Sequence, residues 1–200
     1  MDFNFDENIL LQDKMVLLKP LSWDHFEFLL PVALANPELH NFSPSRYGSE
    51  DSLKEYFENA LNQKEHNLRY PFAIFDNITG TYAGTTSYGS IYNKDRRLEI
   101  GWTWIGADFQ RTGLNWHCKY KLLQYAFEKL KFERVEFKTD DRNKQSKNAI
   151  MAIGGKFEGI LRSHTLMFDG HRRDTAYYSI LKSEWESVKE SVFKNIMKRT

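Results

Sequence analysis

The apolar residues of this chain change period from segment to segment, and that succession restricts the fold more than any other feature of the sequence. Leu122, Leu123, Ala126, Phe127 and Leu130 recur at the spacing of one helix face, which predicts a helix over Thr112–Leu130. On both sides of it the period falls to two. Arg97–Ile105 reads as a strand with Leu98, Ile100, Trp102 and Trp104 on one face and Glu99, Gly101, Thr103 and Ile105 on the other. Phe132–Thr139 alternates through Val135 and Phe137. A strand, a helix and a second strand joined in this way form a parallel pair through a right-handed crossover.

The remaining segments extend the pattern. Met15–Lys19 reads as a strand, after an opening stretch to Lys14 that either lies on the body or frays. A helix starts behind Ser22, with Trp23, Phe26, Leu29, Leu30 and Ala33 on one face, and a loop follows from Asn36 to Gly48. Ser49 opens a second helix that runs to Gln63. Pro71–Phe75 and Thr81–Tyr92 are strands joined by the Asp76–Gly80 turn, and Asn93–Asp95 turns into Arg97–Ile105. Asn143–Ile153 is a short helix closed by Gly154-Gly155. Phe157–Met167 and Thr175–Leu181 are strands around an Asp169-Gly170 turn. A last helix starts at Ser183, with Trp185, Val188, Val192, Phe193 and Ile196 on one side. This order predicts an α+β fold with a mixed, mostly antiparallel sheet. Domains mostly run ~100–200 residues, so residues 1–200 are expected to form one, with 1–14 as an extension and 183–200 as a terminal helix.

Composition excludes several classes. With 28 Lys and Arg against 27 Asp and Glu, the net charge is +1, and no global field draws the chain to nucleic acid or to an anionic membrane. No apolar run approaches the ~18 residues of a membrane span, and the acidic N-terminus lacks the basic start of a signal peptide. The single cysteine, Cys118, excludes an intrachain disulfide and a cysteine-based zinc site. The histidines show no metal-site spacing, so no metal is expected. Cys118 beside His117 makes a poor dyad, because adjacent helix residues point ~100° apart. A cytoplasmic location is the expectation.

Chemistry is concentrated at Gln110-Arg111-Thr112-Gly113-Leu114-Asn115, where a strand gives way to the long helix. A helix start offers unpaired N–H groups and partial positive charge, and a glycine there lets backbone approach an anion closely. Neither a P-loop nor a dinucleotide fingerprint is present. The stretch from Gln110 to Lys156 holds 11 of the 28 basic residues and 5 of the 27 acidic ones, a local net of +6 against −5 elsewhere. Positive charge gathered around such a cradle suggests an anionic ligand.

Several separated pieces carry a resemblance in order. They are the QRTGLN turn, the Asn143-x-x-Ser146-x-x-Ala149 helix, the Gly155-x-Phe157-Glu158-Gly159 element, and the strand Arg173-Asp174-Thr175 to Ser179-Ile180-Leu181. Together, from Met15 to Trp185, they resemble the GNAT N-acetyltransferases, in particular the branch of ribosomal-protein N-terminal acetyltransferases. Asn115 departs from the Gly or Ala usual in the wider superfamily. The resemblance implies acetyl-CoA as donor, a primary amine as acceptor, and direct transfer in a ternary complex. It implies that strands 97–105 and 132–139 splay apart, that pantetheine lies between them, and that the diphosphate sits on the N–H groups of Arg111, Thr112, Gly113, Leu114 and Asn115, behind Gln110.

Within that frame Glu99 is the candidate general base, acting directly or through water; its plain alternative is a salt bridge to Arg96 or Arg97. Ser146 is the candidate partner of the departing thiolate. Asn143 either binds pantetheine or caps its helix. Tyr177 or Tyr178 is an alternative acid, or packing. Trp102, Trp104 and Trp116 are a candidate aromatic wall or plain core. Loops 36–48 and 62–70 are expected to shape acceptor choice. A non-catalytic acyl-CoA-binding module is the competing reading, and oligomeric state, a homodimer included, stays open.

Overall fold

A computed structural model describes residues 2–35 and 41–194. Most of the 36–48 loop's first half and Ile196 therefore lie outside the described residues. Eight strands follow the chain: β1 (Leu11–Gln12), β2 (Val16–Pro20), β3 (Arg69–Asp76), β4 (Thr81–Tyr92), β5 (Arg97–Ile105), β6 (Arg134–Asp140), β7 (Lys156–Leu166) and β8 (Arg172–Leu181). They form one sheet in the order β1-β2-β3-β4-β5-β6-β8-β7. Among the described residues, only β5 and β6 run parallel. The helices are α1 (Phe26–Leu34), α2 (Glu50–Glu65), α3 (Leu114–Gln124), α4 (Lys144–Ala152) and α5 (Lys182–Ser191).

Two cores flank the sheet. Leu98, Ile100, Val135, Phe137, Ala176, Tyr178 and Ile180 face α3 and α5 and bury Cys118, Leu122, Leu123, Phe127 and Trp185. On the other face α1 and α2 pack Leu29, Phe57 and Ala60 against Ala73, and this second core reaches Trp104 of β5. The opening stretch belongs to the first core: Phe3 meets Tyr70 and Tyr88 edge-on, and Ile9 N–H donates to the Tyr70 hydroxyl at 3.1 Å. The long helix is shorter than its apolar stripe suggests, because its last part, Tyr125–Lys129, is a π turn. The stripe persists, since a π turn still buries Ala126 and Phe127.

The strand face expected for 97–105 is overturned halfway along. Ser87 pairs with Gly101 and Thr85 with Trp104, so one residue of β4 opposes two of β5, a bulge at Trp102-Thr103. Trp102 sits at φ 49°, and alternation restarts one residue late. Leu98, Ile100 and Ile105 therefore share one core while Trp104 enters the other, stacked on Tyr47 at 5.0 Å. Trp102 lies over the buried Arg69 guanidinium, 4.9 Å away, and against Gly89, where a Cβ would sit 2.2 Å from the ring. Packing of this kind holds a bulky residue in a backbone region it otherwise avoids.

Phe3→Ala should cost about 3 kcal/mol, as removal of a buried aromatic does. Urea unfolding checks this, and a variant as stable as the parent would show that the opening stretch does not contribute to the core.

Candidate active site

β5 and β6 pair at Arg97–Arg134, Leu98–Val135 and Glu99–Glu136, and then part. Beyond that point their facing edges line a cleft of about 1010 Å³. Glu99, Gln110, Arg111, Thr112, Gly113, Asn115, Asn143 and Ser146 all line it, as do Trp102, Trp104 and Trp116. Leu114 does not: its side chain is fully buried in the core, which leaves only its backbone for a ligand. Phe42, Ser43, Pro44, Ser45 and Tyr47 reach the cleft from the 36–48 loop, whereas the 62–70 loop contributes nothing to it.

The helix start is open. Gly113 is the N-cap of α3 at φ 96°, and Arg111, two residues earlier, stands at φ 63°. Among the described residues, the amides of Arg111, Thr112, Gly113 and Asn115 donate no hydrogen bond. The single local cap is weak, from Leu114 N–H to Thr112 Oγ1 at 3.3 Å. Four free amides at the positive end of a helix fit a diphosphate. Asn115 adds a second sign: its Oδ1 is buried without a partner, an acceptor left for a ligand donor. The Gln110 side-chain amide donates to the Ile105 carbonyl at 3.1 Å and accepts from Gln145 of α4 at 3.1 Å, so it spans the mouth between β5 and α4.

On the opposite wall Asn143 caps α4, accepting from Ser146 N–H at 2.9 Å. Ser146 Oγ has no partner among the described residues and is free to meet a ligand. Tyr178 is core, edge-on to Phe157. Tyr177 lies on the uncovered face, its hydroxyl 3.4 Å from His164 Nε2. Cys118 is fully buried, and burial pushes its thiol up to about 12, far from nucleophilic use.

Glu99 stands where the strands separate, and its side chain is nearly buried. Its partner is Lys138 of β6, at 2.7 Å, not Arg96 or Arg97; Ser90 Oγ also donates to it at 3.1 Å. Arg97 turns instead to Glu136 and Asp95. The ladder explains the exchange. Glu99, Glu136 and Lys138 share one face, so Lys138 reaches back across the gap. A Cβ at Gly101 would lie 2.8 Å from Glu99 Oε1, so glycine there gives the carboxylate its room.

Besides Lys138, the basic cleft residues Lys119, His164 and Arg173 have no site role in the sequence reading. Lys119 occupies a position of the apolar stripe on α3, a charge in a buried row that itself could have signalled it. Its Nζ donates to Thr103 Oγ1 at 2.7 Å and, at a longer 3.4 Å, to Thr86 Oγ1, with no carboxylate partner among the described residues. Arg173 falls before the strand expected from Thr175, since β8 starts at Arg172. Part of the local excess of basic residues is taken up by ion pairs: Arg134, Lys138, Arg142, Lys147 and Lys156 each meet a carboxylate.

Burial lowers the Lys119 ammonium from 10.5 to about 8. An unfolded chain keeps this proton up to its ordinary value, so wild-type stability should rise between pH 8 and 10.5. Lys119→Met should stabilise the fold at pH 7, by roughly 1.4 kcal/mol for each unit of the shift. That gain should shrink across the same window. Unfolding curves at several pH values test it, and a variant less stable at pH 7 would refute it.

Known proteins share sequence and fold with this chain. The family described as acetyltransferase (GNAT) domain matches residues 15–156. "Putative ribosomal N-acetyltransferase YdaF" of Bacillus subtilis (strain 168) is 36% identical over 110 residues, 55% of this chain and 59% of that protein. "Uncharacterized N-acetyltransferase p20" of Bacillus licheniformis is 28% identical over 114 residues, 57% of this chain and 63% of that protein. The matched stretch thus spans under two thirds of these curated relatives. Among solved structures, a "putative acetyltransferase from T. thermophilus" is 32% identical with a TM-score of 0.84, covering 93% of this chain and 96% of that one. A GCN5-related N-acetyltransferase from Brucella melitensis, 24% identical, shares the fold at a TM-score of 0.87 over 96% of this chain and 86% of its own. The family match runs through β2 to β6 and contains both the parted strands and the open helix start; the chain belongs to the GNAT acetyltransferase domain family.

Proposed function

We propose that the chain is an acetyl-CoA-dependent N-acetyltransferase that modifies a primary amine by direct attack in a ternary complex. One observation carries the reading. Four unpaired amides at the head of α3 open onto a gap between two strands that stop pairing at Glu99–Glu136. The amides of Arg111, Thr112, Gly113 and Asn115 hold the diphosphate, and Asn115 Oδ1 accepts from a coenzyme donor. The unpaired edges of β5 and β6 hold pantetheine. Bound acetyl-CoA supplies the thioester carbon.

Glu99 takes the proton that the attacking amine loses, directly or through one water. Lys138 holds the carboxylate at the cleft floor. Ser146 donates a hydrogen bond to the thiolate as the C–S bond breaks and the N–C bond forms. The ribosomal assignment printed for the Bacillus subtilis relative supports a protein N-terminal amine as acceptor, and a small amine is the other acceptor of the same chemistry. A cytoplasmic location belongs to the same proposal.

Acetyl transfer to a panel of amines, followed by thiol release, tests the function. Coenzyme binding with no transfer to any amine would favour a binding module instead. Gly113→Glu should abolish coenzyme binding in calorimetry, since it puts bulk and negative charge at the cradle and forces a left-handed φ on a side chain; unchanged affinity would refute the cradle. Glu99→Gln should lower kcat ~10²–10⁴-fold near neutral pH, the usual worth of a general base. The deficit should narrow at high pH as the amine deprotonates unaided. An unchanged rate at every pH would remove Glu99 from the mechanism.

A further inference from the structure

Among the described residues, the sheet face opposite α3 and α5 carries no helix over β6, β8 and β7. Register places Glu99, Glu136, Lys138 and Asp140 on it, beside Arg173, Thr175, Tyr177 and Ser179 of β8. Arg173 is the odd member. The residue is 8% exposed, yet no carboxylate lies within ion-pair distance of it among the described residues. Its one hydrogen bond runs from Nε to Thr175 Oγ1, at 3.1 Å, leaving both terminal nitrogens of the guanidinium unbonded. Asp140 pairs with Thr175, two residues along β8 from Arg173, and both of its oxygens are taken by Arg142, at 3.0 and 2.7 Å. Glu99 is taken by Lys138. His164 of β7 bonds the same Thr175 hydroxyl at 3.1 Å and lines the cleft with Arg173 and Lys138.

A nearly buried guanidinium with no direct ion pair is costly unless a ligand supplies one; Asp140 and Glu99 act on it only through space, each bonded to another cation. The same cleft sets Glu99, the group that meets the amine, within electrostatic range of Arg173. Arg173 offers two free donors in the fork that matches a carboxylate. We propose that Arg173, with His164 beside it, forms a carboxylate subsite, so that the preferred acceptor is an amine bearing a carboxylate a few bonds from its nitrogen. This assignment rests on the reading of the cleft as an acetyl-transfer site and names its substrate class. The carboxylate can belong to a free amino acid or to an acidic residue near a peptide N-terminus; the chemistry that Arg173 recognises is the same.

The test pairs acceptors that differ only in that group: free amino acids against their amides, and peptides with Asp near the N-terminus against the same peptides with Asn. Wild-type kcat/KM should favour the carboxylate ~10-fold or more in one pair, as a charge-assisted contact does, and that pair identifies the source. The ratio should fall to near one in Arg173→Met and be partly kept in Arg173→Lys, a rescue that a purely structural role would not give. A wild-type ratio near one, or a ratio unchanged in Arg173→Met, overturns the subsite. If no amine is acetylated, the transfer reading fails by itself, and the subsite is then read by titrating wild-type protein with N-acetyl-Asp and N-acetyl-Asn peptides. Tighter binding of the acidic peptide supports the subsite, and equal binding overturns it.

Discussion

The structure depends on an interrupted hydrogen-bond ladder. Two parallel strands begin as partners and separate after three residue pairs, although each is held on its other side by an antiparallel neighbour. Backbone groups along the parted edges then have no protein partner across the gap, an arrangement that a protein tolerates where solvent or ligand reaches them. The bulge at Trp102-Thr103 bends β5 away from β6, and the bulge itself persists because Trp102 is clamped between the Arg69 guanidinium and the bare backbone of Gly89. Arg69 is in turn held by Ser87 Oγ at 2.7 Å and the Tyr56 hydroxyl at 2.5 Å. A polar network under α2 thereby supports the bulge in β5, one wall of the cleft.

The two ends of that cleft use different electrostatics. At α3 the attraction for an anion comes from backbone dipoles, and Arg134, Lys138, Arg142, Lys147 and Lys156, which follow in sequence, are tied to carboxylates of the fold. On the uncovered sheet face the charges are side chains, arranged as Glu99–Lys138 and Asp140–Arg142 pairs, with Arg173 left over. Partial charges that cannot move suit an anion held in one fixed pose. In the proposed reading, the unpaired guanidinium on the half-open face serves the acceptor instead. Lys119 is a third case: it lies under β5 with hydroxyl partners only, and burial lowers its hold on a proton.

Individual residues show how much can be read in advance. Strand 97–105 is legible to its last residue, yet the faces of its second half are not, because a bulge is decided by what packs on Trp102 and leaves period-two alternation looking intact. Asn143 is legible in its capping role, since a cap is a contact within three residues. The partner of Glu99 is not: Lys138 is remote in sequence and becomes adjacent only through the parallel register of β5 and β6. Arg173 and His164 escape for the same reason, being ordinary polar residues on strands until Thr175 and the cleft set them side by side. The opening stretch looks optional by composition, and Tyr70 makes it part of the core.

What the sequence determined by itself is local and periodic: the order of helices and strands, the glycine at the head of the long helix, the cap on Asn143, and the family motifs carried by those elements. These follow from interactions among residues a few positions apart, or from patterns that any water-excluded core imposes. What only the tertiary structure decided is where the ladder stops, which face Trp102 takes, and which cations are left without a carboxylate. Those outcomes depend on competition among groups brought together from distant parts of the chain, and no spacing in the sequence records which of them wins.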